Sequence, residues 1–249
     1  MPCAKAANVR PGRKCQNRAI PGARFCYSGA FPQAARQEDF IHGTPRGELD
    51  ASPRDTILDA AARAFMERGF KATSIDDIAR RLGATKGMVY HYFDSKADLF
   101  FEIHQRGMDA LVQAIDAELK RDAPAAERLH GMARRHVATL IETQHFQRAV
   151  AEGVQMHLRV STTEAQRREL TRLQNRRRRY EQVFLQVLCA GIEEGDLHAN
   201  EPKLAIKPVL GALNSVINWY HPRYDTGPGA LDALVEEVTT VALRGVTAR

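Results

Sequence analysis

Residues 53–100, "PRDTILDAAARAFMERGFKATSIDDIARRLGATKGMVYHYFDSKADLF", restrict the fold more than any other stretch of the chain. Apolar residues recur there at three- and four-residue spacing, and glycine breaks the pattern at Gly69 and Gly83. That is the period of amphipathic helices, and the breaks make the helices short. Ser52 is a good N-cap, with Pro53 in the first turn. Ile57, Leu58, Ala61, Ala62, Phe65 and Met66 then share one apolar face. Gly69 ends this helix. Thr73 or Ser74 caps a second helix, with Asp76 and Asp77 favourable in its first turn. Ile75, Ile78, Ala79 and Leu82 point inward, and Gly83 closes it. A third short helix spans roughly 86–92. A fourth begins near Lys96 and runs long, with Leu99, Phe100, Ile103, Leu111, Ile115 and Leu119 inward.

Helical signals continue to the end of the chain. The pattern predicts helices at about 123–143, 145–158, 162–195, 201–220 and 228–245. Their starts are marked by Asp122, by a capping box from Ser161 to Glu164, by Asn200 with Pro202, and by Gly227 with Pro228. No alternating strand and no internal repeat is visible, so the class is all-α. Residues 1–51 are different: five prolines, many turn residues and little periodicity make them an irregular basic extension. The expected organisation is 1–51 extension, 52–100 helix-turn-helix domain, and 101–249 larger helical domain. No run of about 18 apolar residues is present, which argues against a membrane span. The first residues lack the apolar core of a secretory signal. A cytoplasmic protein is the expectation.

The chain carries a net charge of +6 over 249 residues. That permits nucleic acid as a partner. Residues 1–52 hold eight Lys and Arg against four Asp and Glu, whereas residues 53–100 hold eight against seven. Any DNA contact by the second segment must therefore come from placed residues and not from a general positive field.

The second and third helices, joined by "LGAT", have the form of a helix-turn-helix. Gly83 supplies the left-handed turn. Val89 and Phe93 are four apart and pack inward. Thr85, Lys86, Gly87, Tyr90 and His91 are left on the outer arc. These types suit a major groove: Lys86 donates to guanine, Thr85 reaches a base or a thymine methyl, and Gly87 lets the backbone come close. Tyr90 and Tyr92 are phenolic donors for phosphates. Lys96, at the start of the fourth helix, adds an ammonium to an array of backbone N–H groups. The same spacing also fits an ordinary helical hairpin with tyrosines at the edge of its core.

Residues 54–100 resemble the N-terminal DNA-binding domain of the tetracycline-repressor (TetR/AcrR) family of bacterial transcriptional regulators. The resemblance rests on the Ala-x-x-x-Phe and Gly-Phe pair, the Thr-Ser-x-x-x-Ile-Ala core, the glycine turn, Val-Tyr-x-Tyr-Phe, and Lys-x-x-Leu. It implies that Thr73, Tyr90, Tyr92 and Lys96 hold phosphates. It implies that Thr85, Lys86, Met88 and His91 face bases. Tyr92 stands where the family often has histidine. The resemblance also implies a homodimer on near-palindromic double-stranded DNA, which doubles the contacts of a single reading helix.

The last two helices would form the dimer interface, with Val209, Leu210, Leu213, Val216, Ile217 and Tyr220 on one stripe. Leu231, Leu234, Val235, Val238, Val241 and Ala242 form the other. Internal core is the competing assignment for each, and Trp219 is a further anchor candidate. The middle helices would enclose a small-molecule effector. The C-terminal half resembles the subgroup controlling fatty-acid, sterol or aromatic-acid breakdown, which implies an acyl-CoA or related hydrophobic acid.

Seven arginines between Arg167 and Arg179 suit a polyphosphate ligand or a solvated face, and four in a row cannot all line one site. His136, His145 and His157 read as structural. Cys3, Cys15 and Cys26 resemble a small zinc-binding motif, with Gly29 where that motif usually has its histidine; a basic arm is the alternative. No cofactor is required by the reading.

The expected function is a ligand-released transcriptional repressor. A regulator acting as activator or through protein contacts is the alternative. No nucleophile, phosphate loop or paired carboxylates suggest an enzyme.

Overall fold

The computed structural model describes residues 52–157 and 163–247, with side chains described outside 152–157. Cys3, Cys15, Cys26 and the side chain of His157 lie outside the described set. The described residues form helices α1 (Pro53–Arg68), α2 (Ile75–Arg81), α3 (Lys86–Tyr92), α4 (Lys96–Lys120), α5 (Ala125–Glu142), α6 (Gln144–His157), α7 (Glu164–Glu194), α8 (Pro202–Asn214), α9 (Val216–Trp219) and α10 (Ala230–Leu243). A short 3₁₀ turn covers Pro222–Tyr224. Among the described residues there is no strand, only an isolated bridge between Leu197 and Thr247. The all-α expectation holds. No helix of the described residues is long and apolar enough to cross a membrane.

The starts of the helices follow local chemistry. Ser52 caps α1 by accepting from the Asp55 amide, with Pro53 in the first turn. Ser74, and not Thr73, caps α2, and Asp77 completes a capping box. For α7 the capping box is Thr163 with Gln166, two residues later than expected. Pro124 has no capping side chain; the amide of Ala125 is instead taken by Glu194 of α7 at 2.7 Å. The helix expected to continue to about residue 220 stops at Asn214 and restarts at Val216. There the Asn214 amide donates to the Leu210 carbonyl and the Ser215 hydroxyl to that of Ala212, both at 2.7 Å. Such side chains compete with the helix for its own acceptors.

Two apolar clusters share α4. Ile57, Phe65, Ile78, Val89, Leu99, Phe100 and Ile103 belong to the first. Met108, Leu111 and Ile115 belong to the second, with much of α5, α7, α8 and α10. The expected boundary after residue 100 therefore falls inside a continuous helix. Helix α6 packs against both α1 and α4. His145 Nε2 lies 2.8 Å from Asp59 Oδ1 across that first contact.

Candidate DNA-binding site

The α2–α3 connection is built from short-range bonds. Gly83 adopts φ 63°, a left-handed conformation that a side chain would strain. The Ala84 amide then bonds the Ala79 carbonyl at 2.9 Å. Thr85 caps α3 by accepting from the Met88 amide at 3.3 Å. Val89 is the buried residue of α3, and Phe93 follows it into the core. These two contacts fix the rotation of the helix.

That rotation leaves Thr85, Lys86, Gly87, Met88, Tyr90 and His91 exposed together. Met88 keeps 40% of its surface and Tyr90 45%. Lys86 Nζ lies 3.1 Å from Asp76 Oδ2 of α2 and 5.9 Å from the centroid of the Tyr90 ring. Hydrogen bonding to Asp76 holds the Lys86 ammonium pKa above its usual value. Asp76 thus aims Lys86 across the outer face. Tyr92 is only half-exposed and meets the His91 ring edge-on, with centroids 4.9 Å apart.

Two expected phosphate contacts are placed differently. Thr73 is buried, at 1% exposure, and its hydroxyl lies within 3.1 Å of the Ala64 carbonyl and 2.9 Å of that of Gly69. It closes the α1–α2 turn and presents no surface to a phosphate. Lys96 also turns inward. Its ammonium donates to the carbonyls of Phe70 at 2.8 Å and Thr73 at 2.9 Å and sits 4.4 Å from the centroid of the Phe70 ring. Burial lowers its pKa. Thr73 ties the α1–α2 loop to α1, and Lys96 ties it to α4.

Sequence reasoning missed Arg54. Its guanidinium donates to the Tyr92 carbonyl at 2.9 Å, pairs with Glu102 of α4, and lies 4.5 Å from the centroid of the Phe93 ring. One side chain thereby joins α1, the end of α3 and α4. An arginine in the first turn of an amphipathic helix carries no signal of that role.

Away from this face, a cavity of about 140 Å³ is lined from α4, α5, α6, α7, α8 and α9. Met108, Leu111, Leu140 and Leu210 supply apolar wall, and His104, His136, Gln147, Tyr180 and Asn214 supply polar groups. His136 Nδ1 lies 2.9 Å from the Tyr180 hydroxyl. Burial pushes the pKa of both His104 and His136 down to about 4. Burial raises that of Tyr180. Gln147 donates to the Gly107 carbonyl of α4 at 3.0 Å. Within the arginine run, Arg177 reaches the cavity, while Arg176 pairs with Asp109 and Arg172 with Glu169. The seven do not converge.

The expected interface stripes divide. Val209, Leu210, Leu213, Val216, Val235 and Ala242 are buried in the chain's own core, as the competing assignment held. Ile217, Tyr220, Leu231, Leu234 and Val238 are half-buried, while Leu204, Trp219 and Val241 are exposed.

This arrangement has counterparts among known proteins. The chain is 27% identical over 200 residues to the HTH-type transcriptional repressor KstR2 of Mycobacterium tuberculosis, covering 79% of this chain and 94% of that protein. The crystal structure of the TetR family transcriptional regulator PfmR from Thermus thermophilus aligns with a TM-score of 0.65 at 29% identity. It covers 76% of this chain and 97% of PfmR. The structure of AibR in complex with isovaleryl coenzyme A and operator DNA shares the fold, with a TM-score of 0.63 at 22% identity over 77% of this chain and 98% of AibR. Residues 57–103 match the model for bacterial regulatory proteins of the tetR family. Residues 122–246, half of the chain, match the model for the tetracyclin repressor-like C-terminal domain. With its reading head and its C-terminal half both matched, this chain belongs to the TetR family of bacterial regulatory proteins.

Proposed function

We propose that this regulator is a homodimeric repressor that holds a near-palindromic operator and is released by a hydrophobic effector. The observation that carries the reading is the outer face of α3. Val89 and Phe93 anchor the helix, and Thr85, Lys86, Gly87, Met88, Tyr90 and His91 are left exposed. On this reading Thr85, Lys86, Met88 and His91 face base edges, and Tyr90 and Tyr92 donate to phosphates. Thr73 and Lys96 hold the α1–α2 loop in place instead of meeting phosphates. The exposed Leu204, Trp219 and Val241 form the centre of the contact with a second copy.

The effector enters the cavity beside α4. AibR, solved with isovaleryl coenzyme A and operator DNA, supports an acyl-CoA or related acid derivative as its class. An effector that binds one conformer better shifts the population toward it and weakens the other partner by the same factor.

Selection of bound duplexes from a random-sequence pool by the purified full chain tests the reading. The expected winner is a two-fold symmetric site whose enrichment falls with Lys86→Ala or His91→Ala. A pool that yields no symmetric sequence rules the reading out.

A further inference from the structure

The cavity between α4 and α7 contains two polar groups that the fold leaves incomplete. His104 is 5% exposed and His136 1%. Both line the cavity. Yet His104 Nδ1 and His136 Nε2 have no hydrogen-bond partner. Asn214 stands beside His136 without meeting hydrogen-bond geometry at Nε2, and its amide donates to the Leu210 carbonyl. Native interiors leave few buried polar atoms in this state, and each calls for an explanation. Two of them on the wall of one cavity mark a site completed by something from outside the chain.

Size limits what that is. A cavity near 150 Å³ lined by apolar side chains holds about one benzene. At about 140 Å³ this one takes a group of similar size, roughly six heavy atoms.

Charge limits it further. Burial keeps both imidazoles neutral, so neither supplies a counter-charge. The charged lining residues are Arg177 and Glu181, whose signs oppose. Arg177 Nε lies 3.7 Å from Glu181 Oε1, and Lys207 pairs with the same carboxylate. The Arg177 and Lys207 side chains are largely exposed, so these cations sit at the solvent edge. A carboxylate drawn into the interior would lose its water and meet only neutral groups, which is strongly unfavourable. A carbonyl or hydroxyl oxygen loses far less, and a neutral imidazole can donate or accept according to its tautomer.

We infer that this cavity binds an uncharged, oxygen-bearing apolar group the size of a single ring or a short branched acyl chain, its carbonyl or hydroxyl oxygen held by His104 and His136. This rests on the effector reading above and narrows it: the buried end is neutral, and any anionic part of the same molecule stays outside, at the Arg177 edge.

Four ring probes of matched size separate the terms: cyclohexanone, cyclohexanol, methylcyclohexane and cyclohexanecarboxylate. Each is titrated into the full chain at pH 7.5, followed by thermal melting and by the nitrogen NMR signals of the histidines. The ketone and the alcohol are expected to bind about tenfold more tightly than the hydrocarbon, because a site built to bond an oxygen rejects the analogue lacking it. They are also expected to outbind the carboxylate. Two histidine signals should move with the ketone. In His136→Leu, and separately in His104→Leu, the preference for ketone over hydrocarbon should shrink.

Equal binding of hydrocarbon and ketone overturns the inference, as does tighter binding of the carboxylate. So does failure of all four probes at millimolar concentration. These comparisons use the unmodified protein, so a poorly folded variant does not decide them. Operator binding in the same preparation keeps the two readings apart. Intact operator binding with failed probes removes the ligand assignment alone. Probe binding in the expected order, by a protein that selects no DNA, supports the cavity assignment and removes the regulator reading.

Discussion

Replacing Lys96 with methionine separates a scaffold role from a DNA-contact role. The change keeps an unbranched four-atom stem and removes the ammonium. In the native protein that ammonium donates to the carbonyls of Phe70 at 2.8 Å and Thr73 at 2.9 Å. Hydrogen bonds from charged groups contribute about 1.5–3 kcal/mol each when well shielded. Lys96 is half-buried, so about 1 kcal/mol each is the appropriate scale. The Phe70 ring beneath it contributes about 0.5–1 kcal/mol more. The expected loss is therefore about 2–3 kcal/mol, read from the midpoint of urea unfolding at unchanged slope.

Operator binding supplies the second readout. A lysine that neutralises a phosphate contributes nearly one to the slope of log affinity against log salt. The clamp predicts that this slope is unchanged in Lys96→Met, even where affinity falls through local loosening. Unaltered stability together with a slope reduced by about one would refute the clamp and restore Lys96 to the phosphate contacts.

Three further outcomes follow from the same structure. Val89→Ala removes two methyl groups from a fully buried site and should cost about 2 kcal/mol in urea unfolding; a cost under about 0.5 would mean that α3 is not held by this contact. His104 and His136, with pKa values near 4 in the folded chain against 6.5 unfolded, stay neutral while the unfolded chain takes up protons. Stability should therefore fall as pH drops below about 6.5, by about 2 kcal/mol per histidine at pH 5, and equal stability at pH 7 and pH 5 would contradict it. Val241→Glu should convert a dimer to a monomer in light scattering with helicity unchanged in circular dichroism; an unaffected dimer would move the interface elsewhere.

The elements whose chemistry is local were legible in the sequence. Ser52, Gly69 and Gly83 act on their immediate neighbours, and the structure uses each as its residue type suggests. The outer face of α3 was legible for the same reason, because Val89 and Phe93 set its rotation from within the segment.

Contacts made at long range were not. Thr73 and Lys96 are polar, and polar residues in an amphipathic pattern read as surface. Their acceptors are the Ala64 carbonyl of α1 and the Gly69, Phe70 and Thr73 carbonyls of the turn after it, whose approach no spacing rule encodes. Gln147 reaches the Gly107 carbonyl of α4, and His104 lines the cavity, through packing that only the assembled bundle creates. The α8–α9 break depended on which acceptor Asn214 and Ser215 chose, and both choices fit the sequence.

Helix α4 carries a mechanical consequence. Its 25 residues form a rod of about 37 Å. One end is fastened to the reading head through Leu99, Phe100 and the Arg54–Glu102 pair, and the other is embedded with Met108, Leu111 and Ile115 in the core around the cavity. A tilt of about 5° at the embedded end displaces the far end by roughly 3 Å. That equals about one base-pair step of duplex DNA. The rod works as a gear between two length scales: a slight rotation beside the cavity becomes an error of one whole letter in where the helix lands.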